Sequence, residues 1–356
     1  MNACESNDLP VQHADSYDYI TFAAKMQKEI TRAREYEGYD ANKHPQTMGA
    51  FGYYNLPTHD FSSTEGEIFK NETVTYDEAS NCWKTKPEKK WDDYKNMNFD
   101  FFGYMPWNKD ATLTKSSTSE STYVLSIPYT IPTINDKPSP ILFEKDLKQA
   151  PIICALPEHK IGTTAEGKEQ TFERVVELKF DQTLTGYYLN FKLDTRMNKL
   201  RYFRIKGVKI GGKLPTAGNV TRTYKFNGSN WTAEDIKWTD LQTSDFDANS
   251  EIVLENNELE LKDDQYYRWG ATFYAIADAS FVPIIAVTYD VILKDENGET
   301  VTRKDVTSTI TLGKAFFESL DPGKTATIYP INIFIQPRYL YVLADQDAYT
   351  GHLLIQ

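Results

Sequence analysis

The sequence predicts an all-β protein built from antiparallel β-sandwiches, and three observations carry that expectation. Aromatic residues make up 13% of the chain, with 23 Tyr and 19 Phe, and such side chains favour pleated, half-buried surfaces. Short runs of alternating apolar and polar residues recur, separated by turn-forming dipeptides. Helical periodicity is scarce.

Residues 18–34 admit an amphipathic helix through Ile20, Ala23, Ala24, Gln27 and Ile30. Thr21, Phe22 and Ile30-Thr31 weaken that helix, so a leading strand over about 19–24, followed by an exposed segment, is the preferred reading. From about residue 48 the pattern is one of strands. Strands are expected at 122–128, 174–180, 186–193, 200–210, 252–254, 272–277, 282–292, 306–312, 328–335 and 339–343. Asn227-Gly228 and Gly211-Gly212 read as hairpin turns. The clearest hairpin runs from Val287 to Lys294, turns over Asp295 to Gly298 and returns through Glu299 to Arg303. Val287, Tyr289, Val291 and Leu293 alternate with Thr288, Asp290 and Lys294, which places one face in a core and the other in water.

Trp83, Trp91, Phe99, Phe101, Phe102, Tyr104 and Trp107 crowd into 25 residues. A core strand explains them better than an exposed surface that stacks on sugar rings. The Pro-dense region from Pro128 to Pro157 reads as edge segments and loops, because proline cannot donate into a central ladder. The polar, Gly-containing stretch from Gly162 to Gln170 marks a domain boundary. The chain is thereby divided into a tether at 1–17, an N-terminal domain at 18–165 and a C-terminal domain at 166–356.

A net charge of −12 argues against nucleic acid as a partner. No segment approaches the roughly 18 continuous apolar residues of a membrane-spanning helix, and there is no complete signal peptide. His13, His44, His59, His159 and His352 lack zinc-binding spacing. Phosphate loops, nucleophile elbows and Ser-x-x-Lys motifs do not occur. The Asp-rich turns at Asp263-Asp264 and Asp290 to Asp295 could bind calcium, but they lack the calcium-loop pattern and read as solvated. The chain is therefore read as non-enzymatic, with no cofactor and no metal. Cys82 and Cys154 read as buried thiols, with pairing left open. Cys4 follows Ala3 and precedes the polar stretch Glu5 to Asp8, as in the acylated cysteine of a bacterial lipoprotein, with Met1 a truncated or misassigned start.

Several segments, in order, carry a family resemblance. They are Ile20-Thr21-Phe22 with Thr31-Arg32-Ala33, Met48 to Tyr54, Val74 to Tyr76 with Trp83, and Asn98 to Pro106. Leu178 to Phe180, Tyr188 to Leu193, Ile205 to Gly212, Leu320 to Lys324 and Ile331 to Ile335 continue the series. In this order the chain resembles the fimbrillins, the pilin-like (type V, Mfa-like) lipoproteins of the Bacteroidetes surface. The resemblance implies two tandem transthyretin-like antiparallel β-sandwich domains and a fimbrial subunit at the cell outer membrane that serves adhesion. It also implies assembly by strand exchange. An arginine-specific protease would cut after Arg32 or Arg34, of which Arg32 matches the family position better. The leading strand with Ile20 and Phe22 would then leave, and its groove would accept an extended strand from the next subunit. The donor segment would lie at about 338–356, where Tyr339, Tyr341 and Leu343 alternate with Leu340, Val342 and Ala344. The implied partners are other fimbrial subunits, the protease and a surface receptor. The alternative is a monomeric glycan-binding lipoprotein using Trp83, Trp107 and Trp231.

Overall fold

The computed structural model describes residues 19–28, 35–56, 66–91, 97–116, 121–133, 138–162, 174–193, 201–247, 252–263, 265–276, 281–296, 298–313, 328–336 and 352–355. These residues form strands and a 3-10 helix at Glu144–Gln149, with no α-helix among them. The leading strand β1 (Thr21–Gln27) follows from its alternation: Phe22, Ala24 and Met26 are buried, while Thr21, Ala23 and Lys25 are half-buried. β2 (Tyr36–Gly38), β3 (Thr47–Tyr54), β4 (Glu67–Asp77), β5 (Cys82–Thr85) and β6 (Asn98–Met105) come next. β7 (Thr112–Lys115) and β8 (Thr122–Thr130) pair with each other. β9 (Ile141–Phe143) leads through the 3-10 helix to β10 (Ile152–Cys154), β11 (Glu158–Ile161) and β12 (Val175–Gln182).

The remaining strands start with β13 (Thr185–Leu193) and the 26-residue β14 (Arg201–Phe226). β15 (Trp231–Ala233), β16 (Lys237–Phe246), β17 (Ile252–Leu254), β18 (Leu259–Leu261) and β19 (Tyr267–Ala275) follow. β20 (Ile284–Asp295), β21 (Gly298–Thr311), β22 (Ile328–Gln336) and β23 (His352–Ile355) complete the set.

Three sheets result. The first runs β10-β12-β1-β5-β4-β3-β6-β11 with β2 beside β1, and β10 also pairs with β6, so the sheet closes on itself. The second runs β23-β22-β13-β19-β9, and the third β21-β20-β14-β8-β7 with β15 to β18 also along β14. β1–β12 and β13–β22 are parallel pairs, which departs from the purely antiparallel expectation. The other strand pairs are antiparallel, as expected for an all-β chain.

Two large cores fill the space between sheets. One joins first-sheet residues such as Phe22, Phe101 and Leu178 to Tyr123, Val220 and Tyr224 of β8 and β14. The other joins Leu189, Trp269 and Ile333 of the second sheet to Ile205, Val208 and Val287 of β14 and β20. β14 serves both cores, pairing with β20 over Arg201–Gly211 and with β16 from Gly212 onward. Residues 163–173, which include most of the expected domain boundary, lie outside the described residues, as does the expected strand at 339–343.

Most expected strands are present, and four local expectations need correction. Gly211-Gly212 is not a hairpin but lies inside β14. Because the strand is paired on both flanks, the positive φ of Gly212 (+105°) bends it without reversing it, and a Cβ there would sit 3.0 Å from the Val282 carbonyl oxygen. Asp290 is not solvated: it is 5% exposed and accepts the Asp305 N–H at 2.8 Å. Register shifts on both sides of Val291 break the alternation there, so Asp290, Val291 and Ile292 are buried in succession. Of the aromatic block, Trp107 is 39% exposed while the other six residues are buried.

The two hairpin turns at Asn-Gly do form. Gly228 (φ +94°) turns β14 into β15, and Gly298 (φ +121°) opens β21 opposite Asp295. Cys154 is a free buried thiol as expected. Cys82, also buried, is disulfide-bonded instead, and its partner is not Cys154.

A buried ion pair ties β14 to the first sheet. Arg222 Nη1 lies 2.6 Å from Asp181 Oδ2, with side chains 1% and 0% exposed. The guanidinium also donates to the Cys154 and Glu234 carbonyl oxygens, both at 3.2 Å, and Tyr36 OH donates to Asp181 Oδ1 at 2.7 Å. Breaking such a pair from one side strands a charge in the interior, whereas an apolar pair of similar volume does not. Arg222→Met should therefore lower stability by about 3–5 kcal/mol, read as a lower denaturation midpoint at unchanged slope. The double substitution Asp181→Leu, Arg222→Met should recover most of that loss.

Candidate functional site

The leading strand is held very differently along its two edges. One edge pairs continuously in parallel with β12, from Thr21 opposite Val175 to Met26 opposite Phe180. The other edge is divided among three partners. Ile20 N–H donates to the Lys89 carbonyl at 2.8 Å, Phe22 faces Trp83 of β5, and Lys25–Gln27 face Gly38–Tyr36 of β2.

Its inward side chains are almost wholly apolar. Ile20, Phe22, Ala24 and Met26 are 1%, 0%, 7% and 1% exposed. The Phe22 ring centroid lies 5.6 Å from that of Phe69 and 6.0 Å from that of Phe101, the latter edge-on. Such aromatic contacts add to the gain from burial itself. Gln27 Oε1, Trp83 Nε1 and Gln182 Oε1, by contrast, are buried without a hydrogen-bond partner among the described residues. They belong to β1, β5 and β12, and each unmade bond costs about 1–3 kcal/mol. The outward Lys25–Glu177 pair, at 2.8 Å but partly exposed, contributes little. The seat of β1 is thus strong in apolar contact and incomplete in polar contact.

The strand also has a defined exit. Lys28 N–H donates to the Glu35 carbonyl at 2.8 Å, and Lys28 Nζ lies 3.3 Å from Glu35 Oε2. The segment between them, residues 29–34 with Arg32 and Arg34, lies outside the described residues. One hydrogen-bonded pair of residues, Lys28 and Glu35, flanks it. A break in it separates β1 from β2 along the chain, while the Tyr36–Asp181 hydrogen bond holds β2 to the body.

The displaced-strand candidates Ile20 and Phe22 therefore lie together in one cleft. Cys4 and the donor candidates Tyr339, Tyr341 and Leu343 lie outside the described residues. From the proposed donor segment, β23 pairs antiparallel with β22, with Ile355 opposite Ile333. Trp83 and Trp231 are 1% and 7% exposed, which removes them as sugar-stacking surfaces. The polar contacts were not visible in the sequence. Asp100, 1% exposed, accepts from Trp231 Nε1 at 2.8 Å and pairs with His159 Nδ1 at 2.7 Å. A lone Asp inside the apolar run from Phe99 to Tyr104 was the available signal. Cys154 offers no reactive thiolate, because burial pushes its pKa up.

No protein-family model matches this chain, and no curated protein matches it. Solved structures do resemble it over nearly the full length. A fimbrial protein from Bacteroides vulgatus is 16% identical, with 94% of this chain and 98% of that one covered and a TM-score of 0.48. The fimbrial anchor protein Mfa2 from Porphyromonas gingivalis is 9% identical, with 95% and 97% covered and a TM-score of 0.34. The structural neighbours are thus fimbrial proteins of the Bacteroidetes. At these TM-scores the likeness carries no argument about what this chain does, and the functional reading rests on the geometry of β1.

Two measurements probe this site. Phe22→Ala should destabilise the fold by about 3–5 kcal/mol, while Thr21→Ala on the outer face should change stability by less than about 0.5 kcal/mol; chemical denaturation separates them. His159 titrates above its usual 6.5, chiefly because Asp100 hydrogen-bonds its ring. A raised folded pKa gives stability that is full below 6.5 and lost as pH climbs through the folded value. His159→Gln should flatten that fall in the pH dependence of the melting temperature.

Proposed function

We propose that this chain is a non-enzymatic fimbrial subunit of the bacterial outer surface, serving adhesion and assembled by protease-triggered strand exchange. The observation that carries this reading is the leading strand. β1 is apolar inward, divided along one edge, and linked to β2 by a segment that holds Arg32 and Arg34 between paired ends. In a chain whose Cys4 carries lipid and is not paired with Cys82, cleavage there would leave β1 attached to the body through noncovalent contacts alone.

Withdrawal of β1 would expose the edges of β12 and β5 and an apolar cleft, a state that favours addition of another strand. Refilling the three large positions now held by Ile20, Phe22 and Met26 would contribute roughly 1.5–3 kcal/mol each in gross terms, with main-chain pairing in addition. The donor would be the segment at about 338–356 with Tyr339, Tyr341 and Leu343. The two cores are read as two tandem transthyretin-like sandwiches, and Cys4 as the lipid-bearing residue of the precursor. The partners are then other fimbrial subunits and an arginine-specific surface protease.

Limited digestion with an arginine-specific protease, followed by mass spectrometry and gel analysis, tests the proposal. We expect one cut after Arg32 or Arg34 and a stable body that forms ladders, with neither in an Arg32→Ala, Arg34→Ala chain. Normal polymerisation of that double variant overturns the processing claim. Mass spectrometry of membrane-extracted protein tests the anchor: a thioether-linked lipid occupies the Cys4 sulfur, so a Cys4–Cys82 disulfide in that material would remove it.

A further inference from the structure

The outer face of the second sheet carries an array that strand exchange does not use. Tyr187, Leu189, Phe191 and Leu193 of β13 are each 0% exposed in the second core, so Tyr188, Asn190 and Lys192 lie on the opposite face. By the same alternation Asn332 and Phe334 of β22 and Arg268 of β19 share it, beside the buried Ile333 and Trp269. Register brings them together: Asn190 pairs with Arg268 on one side and Asn332 on the other, and Lys192 pairs with Phe334. At strand spacings the array spans about 13 Å along β13 and about 10 Å across it.

The side chains within the array are fixed. Asn190 Nδ2 donates to Asn332 Oδ1 at 3.1 Å. Arg268 lies 4.6 Å from the Tyr188 ring centroid and donates to Thr272 Oγ1 at 2.7 Å. Lys192 Nζ lies 5.1 Å from the Tyr266 ring and 5.5 Å from that of Phe334. The other end of this face is covered, since Leu142 and Tyr274 pack with Leu147 of the 3-10 helix.

The array sets two cations on one face. Lys89, Lys90 and Lys179 lie over aromatic rings as the cations of the array do, whereas Arg204, Lys206, Arg222, Lys225 and Lys262 each sit against a carboxylate. Among the described residues neither Lys192 nor Arg268 has one, although the chain carries a net charge of −12. Aromatic rings orient both cations without neutralising them.

We infer that this half-face, uncovered among the described residues, binds a carboxylated polysaccharide. Arg268 offers planar donors matched to a carboxylate, and Lys192 offers a second cation for the next acidic sugar. The free Asn190 Oδ1 and Asn332 Nδ2 suit hydroxyl groups, and Tyr266, 44% exposed, offers a ring surface. An acidic peptide would meet the same two cations but would bring no sugar hydroxyls for the amide pair and no sugar ring for Tyr266, and the poly-glutamate comparator separates the two. The inference names a partner class for the adhesion reading and rests on it.

Equilibrium binding of the full chain to polygalacturonate, with dextran and poly-glutamate as comparators, is the test. We expect saturable, salt-sensitive binding to polygalacturonate alone, weakened at least roughly tenfold in Lys192→Gln, Arg268→Gln. Lys225→Gln, at a paired surface cation, should leave binding unchanged, and an unshifted melting temperature would show that the double variant is folded. Absence of binding to polygalacturonate, equal binding to dextran or poly-glutamate, or full binding by the folded double variant each overturns it. The double variant should still be cut and form ladders. Lost ladders with intact glycan binding would count against strand exchange and not against this face.

Discussion

A long strand must satisfy its backbone hydrogen bonds along its whole length, and β14 meets that demand by changing partners at Gly212. Before that point its neighbours are β20, β17 and β18; after it they are β16, β8 and β15. Both cores therefore pack on one piece of chain, and neither can shift relative to β14 without breaking ladder bonds. Arg222 reinforces the second half of this arrangement. It reaches from β14 to Asp181, the Cys154 carbonyl and the Glu234 carbonyl, so β12, β10 and β14 share one polar centre in an apolar interior.

The leading strand depends on that centre. Its continuous partner, β12, carries Asp181, and its hairpin neighbour, β2, is held through Tyr36 to the same carboxylate. The body is fixed around the seat of β1 by contacts that β1 does not itself make. Removing the strand therefore spares the polar centre, to which β1 contributes no side chain, and concentrates the loss in the apolar contacts of Ile20, Phe22 and Met26 and in the backbone bonds along its two edges.

Alternation made much of the strand content legible. β8, β12, β13 and β22 appear where apolar residues recur at every second position, and the Asn-Gly turns fall at Gly228 and Gly298. The readings that failed share a physical origin. Gly-Gly is compatible with a tight turn and with a bend in a continuous strand, and only the partners on both sides of Gly212 decide between them. The bulge at Val291 buries Asp290, and a bulge has no signature in period-two counting. At the candidate site, the apolar face of β1 could be read from Ile20, Phe22 and Ala24. Its parallel pairing with β12 could not, because about 150 residues separate the two strands. The Asp100–His159–Trp231 and Asp181–Arg222 contacts were hidden for the same reason. Each joins residues remote in sequence, and only Asp100, an isolated charge within an apolar run, announced the first of them.

The mixed environment of β1 has a directional consequence. Running with β12 and against β5, the seat presents one slanted ladder and one perpendicular ladder to its occupant. Reversing the occupant exchanges the two patterns, so the seat distinguishes a chain from the same chain turned end for end. Units joined through it would all point one way, with a vacant cleft at one terminus and an unengaged strand at the other. A fibre built in this manner is a vector, able to lengthen and to attach through chemically different ends.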